Sequence, residues 1–111
     1  MVALRSGSVV LVTFPFSDLS ASKLRPAIVL AAAGRGDWIL SQVTSNPYGD
    51  PDSLQLDDED FSRGSLRRTS FARPSKLFTA NVDLIAKEVG VLRAETLAAI
   101  IETVVVILRR G

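Results

Sequence analysis

Three stretches of this chain gather residue types that suit chemistry on a phosphate or a nucleic acid. In Lys23-Leu24-Arg25-Pro26 the proline restricts Arg25 to extended backbone. A guanidinium then sits where a rigid strand meets a loop, a good position for a phosphate ligand. The plainer alternative is a surface arginine at a strand edge. Ser41-Gln42-Val43-Thr44-Ser45-Asn46 is a polar patch closing an apolar strand. Alternation sets Gln42 and Thr44 on the face of Trp38 and Leu40, with Ser41 and Ser45 opposite. Such hydroxyls also serve simply to cap the loop that follows. The segment Arg67-Arg68-Thr69-Ser70-Phe71-Ala72-Arg73-Pro74-Ser75-Lys76 mixes cations, hydroxyls and an aromatic ring. That mixture suits single-stranded nucleic acid, whose phosphates need charge and whose bases need stacking partners. It equally suits a solvated strand edge that resists aggregation.

The residues that are missing narrow the chemistry further. The chain of 111 residues has no histidine and no cysteine. Disulfides, cysteine nucleophiles and zinc sites built on thiolate or imidazole are thereby excluded, as is the commonest proton shuttle at neutral pH. An enzyme made from this sequence works with Arg, Lys, Ser, Thr, Asp and Glu. The net charge of +1 conceals a strong asymmetry. From Asp37 to Ser62 there are seven acidic residues and no Lys or Arg, whereas Arg63 to Lys76 holds five basic residues and no acidic one. Ten of the thirteen cations are arginine, whose planar fork matches phosphate oxygens. Two eye-catching features carry little. Gly34-Arg35-Gly36-Asp37 contains an Arg-Gly-Asp triplet, but its chemistry is that of a hairpin turn. Asp57, Asp58, Glu59 and Asp60 match no calcium-loop spacing and read as solvated carboxylates.

These residues must be positioned by a small fold, because a chain this short supports one hydrophobic core; residues 1–111 read as a single domain. Ser8–Phe14 is a β-branched apolar run and predicts a buried strand. Pro15–Lys23 is small and polar, hence a surface loop. Pro26–Ala33 and Trp38–Thr44 form a second and third strand around the glycine turn. Ser45–Ser53 reads as a turn-rich loop, Ser53–Leu56 as a short strand, Asp57–Arg63 as an acidic turn and Ser65–Ala72 as another strand. Leu84–Val91 is extended. From Arg93 to Arg110 the spacing is helical, with Leu97, Ile100, Ile101, Val104, Ile107 and Leu108 on one face. Mainly β structure closed by a C-terminal helix predicts a small, strongly bent barrel. No targeting or membrane-spanning signal is visible, so the expected location is the cytoplasm.

Read in order, the motifs resemble the PemK/MazF-like toxins. The match runs through Gly7–Val12, Phe14-Pro15-Phe16-Ser17-Asp18-Leu19, Lys23–Leu30 and Ser41-Gln42-Val43-Thr44-Ser45. It continues through Asp60-Phe61, Leu66, Arg73, Lys76-Leu77-Phe78-Thr79, Ile85–Gly90 and the terminal helix, covering roughly Arg5 to Arg110. The resemblance implies the toxin half of a type II toxin–antitoxin pair. It further implies an SH3-like barrel of the PemK/MazF/CcdB type, a homodimer, and cleavage of single-stranded RNA, usually mRNA, with no metal and no cofactor. The implied partner is an antitoxin whose acidic, disordered tail occupies the RNA groove. The catalytic pair maps to Arg25 and Thr44, and RNA-contacting positions map to Lys23, Ser45, Arg73 and Lys76. Part of the family has an aspartate two residues after the equivalent of Arg73; this chain has Ser75 there.

The implied chemistry is consistent with the residue inventory. RNA carries its own nucleophile, the 2′-OH, and cleavage by it leaves a 2′,3′-cyclic phosphate and a 5′-OH. The protein must orient that hydroxyl and stabilise charge on the phosphorane. Arginine stays protonated in proteins and threonine is a poor base, so proton transfer has no obvious owner; Asp18, in the loop before Arg25, is one candidate. Two other functions share the fold: a CcdB-like gyrase poison, for which the Arg109-Arg110-Gly111 end offers no aromatic anchor, and an RNA-binding module that leaves RNA whole.

Overall fold

The computed structural model describes residues 3–14 and 23–111, the side chains of Phe14 and Lys23 excepted. The strands are β1 (Ser8–Phe14), β2 (Lys23–Gly34), β3 (Asp37–Thr44), β4 (Leu54–Leu56), β5 (Phe61–Gly64), β6 (Ser70–Asn81) and β7 (Ile85–Leu92). They are followed by one helix, α1 (Ala94–Arg110). All seven strands belong to one antiparallel sheet of order β4-β6-β3-β2-β1-β7-β5, curled into a half-barrel with α1 packed across β6.

The central strands are apolar without alternation because both of their faces are covered. Val9, Ile28, Leu30, Val43 and Ala72 point into a core shared with Leu56, Phe61, Leu92, Ile100 and Val104. Their neighbours Val10, Val12, Ala27 and Val29 point the other way, into a second cluster with Leu40 and Ala80. The continuous run Ala27–Leu30 is therefore buried residue by residue. The hairpin between β2 and β3 is closed by Arg35 and Gly36, both with positive φ (57° and 81°), as a two-residue type I′ turn requires. The Arg-Gly-Asp triplet is that turn.

Three boundaries differ from the sequence reading. Strand β2 begins at Lys23, ahead of Pro26; the proline pairs with Leu11 of β1 at a point where β2 has not yet met β3, so its missing N–H breaks no ladder. The expected strand Ser65–Ala72 forms only from Ser70, and the short β5 precedes it, replacing the end of the expected acidic turn and running on to Gly64. Strand β6 then continues to Asn81 through a bulge: Gln42 faces Arg73, Ser41 faces Leu77, and Pro74, Ser75 and Lys76 bulge out between them. Ser41 Oγ donates to the Arg73 carbonyl at 2.7 Å, and Pro74 is fully buried. The helix follows its expected span, but its buried stripe is narrower: Ile100 and Val104 are buried, while Ile101 and Leu108 are exposed. Among the described residues no helix is long and apolar enough to cross a membrane.

Candidate active site

The start of β2, the end of β3 and the connection between β5 and β6 enclose an open groove of about 400 Å³. Strand β2 contributes Leu24, Arg25 and Pro26; β3 and its following loop contribute Val43, Thr44, Ser45 and Tyr48; the β5–β6 connection contributes Leu66 and Arg68, and β6 contributes its first residue, Ser70. Arg25 is exposed and lies on a strand paired with β1 through Val12, so its backbone is fixed while its side chain faces solvent. Thr44 ends β3. Its Oγ1 donates to the Asn46 carbonyl at 3.0 Å and accepts the Asn46 N–H at 3.2 Å. That hydroxyl therefore both lines the groove and caps the loop, combining the two readings that strand-end hydroxyls allow.

Arg25, Thr44 and Ser45 are thus brought together. Arg73 and Lys76 do not line this groove. The Arg73 Nε donates to Asp50 Oδ2 at 3.1 Å, in a pair whose side chains are 17% and 7% exposed. Lys76 is exposed on the β6 bulge. The Lys23 side chain and Asp18 lie outside the described residues. Arg68 and Ser70 of the groove belong to the Arg67–Lys76 stretch that the sequence marks for nucleic acid, whereas Leu66 and Tyr48 escape the sequence reading as site residues. Arg68 stands within the basic block and was legible as part of it; Tyr48 was masked by the turn chemistry around it.

Asp50 organises the loop between β3 and β4. It accepts from the Asp52 N–H at 2.9 Å through Oδ1, and from Arg73 and Ser75 through Oδ2. The Ser53 hydroxyl donates to its carbonyl at 2.9 Å. The backbone N–H of Asp52, then the Arg73 guanidinium and the Ser75 hydroxyl, hold its carboxyl below the usual carboxylate range, against burial, which pushes it up. Because the folded-state value is the lower one, Asp50 contributes stability above its unfolded value near 3.8 and loses it as pH falls through the folded value. Asp50→Asn is expected to cost stability at neutral pH, with the difference from wild type shrinking in urea titrations as pH falls below the unfolded value and through the lower folded one. A pH-independent difference would refute this role.

The acidic and basic blocks of the sequence meet in space. Ser65 donates to Asp58 at 2.6 Å and Thr69 to Asp57 at 3.3 Å, while Arg67 and Arg68 share a shallow cleft with Asp57, Asp58 and Glu59. Among the described residues no group of three or more acidic side chains is arranged to hold a metal ion.

A family model described as the PemK-like, MazF-like toxin of type II toxin–antitoxin systems matches residues 5–108. The chain belongs to this toxin family. Solved structures agree with the assignment at the level of fold. The toxin superposes on a MazE–MazF complex from Deinococcus radiodurans with a TM-score of 0.76, at 18% identity and with 97% of each chain covered. It matches an endoribonuclease in complex with its cognate antitoxin from a mycobacterial species with a TM-score of 0.71, at 16% identity, covering 97% of this chain and 95% of that one. A third match is the Mycobacterium tuberculosis toxin MazF-mt6, with a TM-score of 0.67 and 17% identity over 87% of this chain and 91% of that one. No curated protein sequence matches the chain significantly. In this toxin the groove at the start of β2 and the end of β3 is therefore built on a fold common to MazF proteins, while its lining is read from this chain's own residues.

Proposed function

We propose that this toxin is an endoribonuclease that cuts single-stranded RNA, chiefly mRNA, at short sequences and without metal or other cofactor. The observation that carries the proposal is that Arg25 and Thr44 line one groove together with a second guanidinium, Arg68. In the reaction the 2′-oxygen forms a bond to phosphorus as the bond from phosphorus to the 5′-oxygen breaks. The 2′ proton departs and the 5′-oxygen gains one, leaving a 2′,3′-cyclic phosphate and a 5′-OH. Arg25 stabilises the charge that builds on the non-bridging oxygens, an effect strongest when the donor is fixed before the reaction begins. Thr44 exchanges its loop hydrogen bond for one to the phosphate or the 2′-OH, and so orients the nucleophile. An arginine keeps its proton, and a threonine is a weak base, so both residues act by position and charge. Modest turnover is expected, since general acid–base catalysis, typically worth about 10²–10⁴-fold, is not their contribution.

Further elements of the proposal follow from family membership. Residues 1–111 act as one toxin domain, in the cytoplasm, as a homodimer. Ser45, Lys23, Arg73 and Lys76 bind RNA beyond the cleaved phosphate, and an antitoxin with an acidic disordered tail blocks the groove. The test is incubation of the purified, folded protein with a diverse single-stranded RNA pool in excess chelator. Cleavage at a recurrent short sequence, with cyclic-phosphate ends, is the expected result. Intact RNA that is nonetheless bound in a salt-dependent manner would identify a non-catalytic RNA-binding module instead.

A further inference from the structure

Tyr48 occupies a position that tyrosine ordinarily avoids. It is the first central residue of a tight turn, Pro47–Asp50, closed by the Asp50 N–H donating to the Pro47 carbonyl at 2.9 Å. Its φ is +54° and that of Gly49 is +73°, the type I′ pattern that favours Asn, Asp or Gly at both places. An aromatic residue in left-handed backbone is unfavourable, and here burial does not offset it, because Tyr48 is 74% exposed. The surrounding loop over-determines the conformation. Asn46 Oδ1 accepts the Tyr48 N–H at 2.9 Å, Asp50 is anchored by Arg73, and Asp52 pairs with Arg110 of α1 at 2.8 Å. A strained residue braced on both sides and turned to solvent is a feature of functional sites. Tyr48 is also the chain's single tyrosine and lines the same groove as Arg25 and Thr44.

We propose that Tyr48 is a stacking platform for an unpaired nucleobase of the strand bound in the groove, an inference that rests on the RNA reading above. Arg25 and Arg68 offer charge to phosphates on the groove wall, and an exposed ring beside them supplies the flat apolar surface that a splayed base requires. The loop bracing fixes the backbone that carries the ring before RNA arrives, so less ordering remains to be done on binding. Stacking accepts every base, so Tyr48 supplies affinity and sets the spacing between the stacked base and the phosphate at Arg25, while the sequence is read by other contacts.

The test uses the full chain and a fluorescent single-stranded 2′-O-methyl oligonucleotide bearing a sequence that wild type cuts, since such an RNA lacks the nucleophile. Tyr48→Ala is expected to weaken binding roughly 5- to 150-fold, with Tyr48→Phe within about twofold of wild type. Replacing one nucleotide of the probe by an abasic residue should erase the difference between wild type and Tyr48→Ala. Tyr48→Asn suits the turn better than tyrosine, so it should melt at or above the wild-type temperature and still lose binding, which separates stacking from folding. Wild-type affinity in Tyr48→Ala, alongside active wild-type cleavage, overturns this inference and leaves the RNA reading standing. Wild-type protein that neither cuts nor binds RNA overturns both.

Discussion

Arg25→Ala should lose about 100- to 1,000-fold in RNA cleavage rate while keeping its fold. The size follows from what the guanidinium is asked to do. It is exposed on a strand whose backbone is held by the pairing with β1, so truncation removes charge from the groove without disturbing a core. Surface truncations of this kind usually stay within about 0.5 kcal/mol of wild-type stability. Arg25→Lys is expected to recover only part of the loss, because an ammonium keeps the charge but not the planar fork. Thr44→Ala should impair cleavage through orientation, with the charge of the groove unchanged. Single-turnover rates on a cut RNA, with melting curves for each variant, decide the matter; an active Arg25→Ala protein would withdraw the arginine from the mechanism.

The largest expected effect on stability lies at a residue that does not line the groove, Gly64→Ala. Gly64 faces Gly90 across β5 and β7 and has a φ of +73°. A methyl group there would stand 2.2 Å from the Val89 carbonyl oxygen and 2.5 Å from the Gly90 Cα. Both are backbone atoms, so no side-chain rotation relieves the overlap, and the two strands must separate. We expect a loss of about 4 kcal/mol or more, with Tm falling by roughly 15 °C or more. Gly34→Ala is the matched control: its φ is +91° but, among the described residues, no atom beyond its own chain neighbours lies within 4 Å of the added carbon. It should cost only the backbone strain, about 1–3 kcal/mol. Equal melting shifts for the two variants would show that the cross-strand contact carries no weight.

Much of the fold was legible because local pattern and tertiary role agree. The β-branched run of β1, the glycine turn between β2 and β3, and the 3.6-residue spacing of α1 each state their structure without outside help. The late strands do not. Phe61–Gly64 is four residues long with one buried side chain, too little for a periodicity to register. The second half of β6 is set off from the first by Pro74, and the bulge there is tied down at Arg73 by Ser41, a hydroxyl 32 residues earlier in the chain. The candidate site divides the same way. Arg25 and Thr44 converge on one groove, as their positions at strand ends suggest. Arg73 is drawn instead to Asp50, a carboxylate 23 residues away on a loop whose path no local pattern reveals. Tyr48 sits inside a turn signal strong enough to hide an aromatic ring.

The Asp50–Arg73 pair gives the site two unequal responses to ionic strength. Its charges are largely withdrawn from water, at 7% and 17% exposure, and mobile ions screen such a pair poorly. Arg25 and Arg68 are exposed, and any grip they have on phosphates weakens steeply as salt rises. The loop that carries Tyr48 is therefore anchored at Asp50 by a pair that resists salt, while its second brace, Asp52–Arg110, is more exposed and is screened as the groove arginines are. On the RNA reading proposed above, rising salt frees an anionic occupant before it loosens the Asp50–Arg73 anchor.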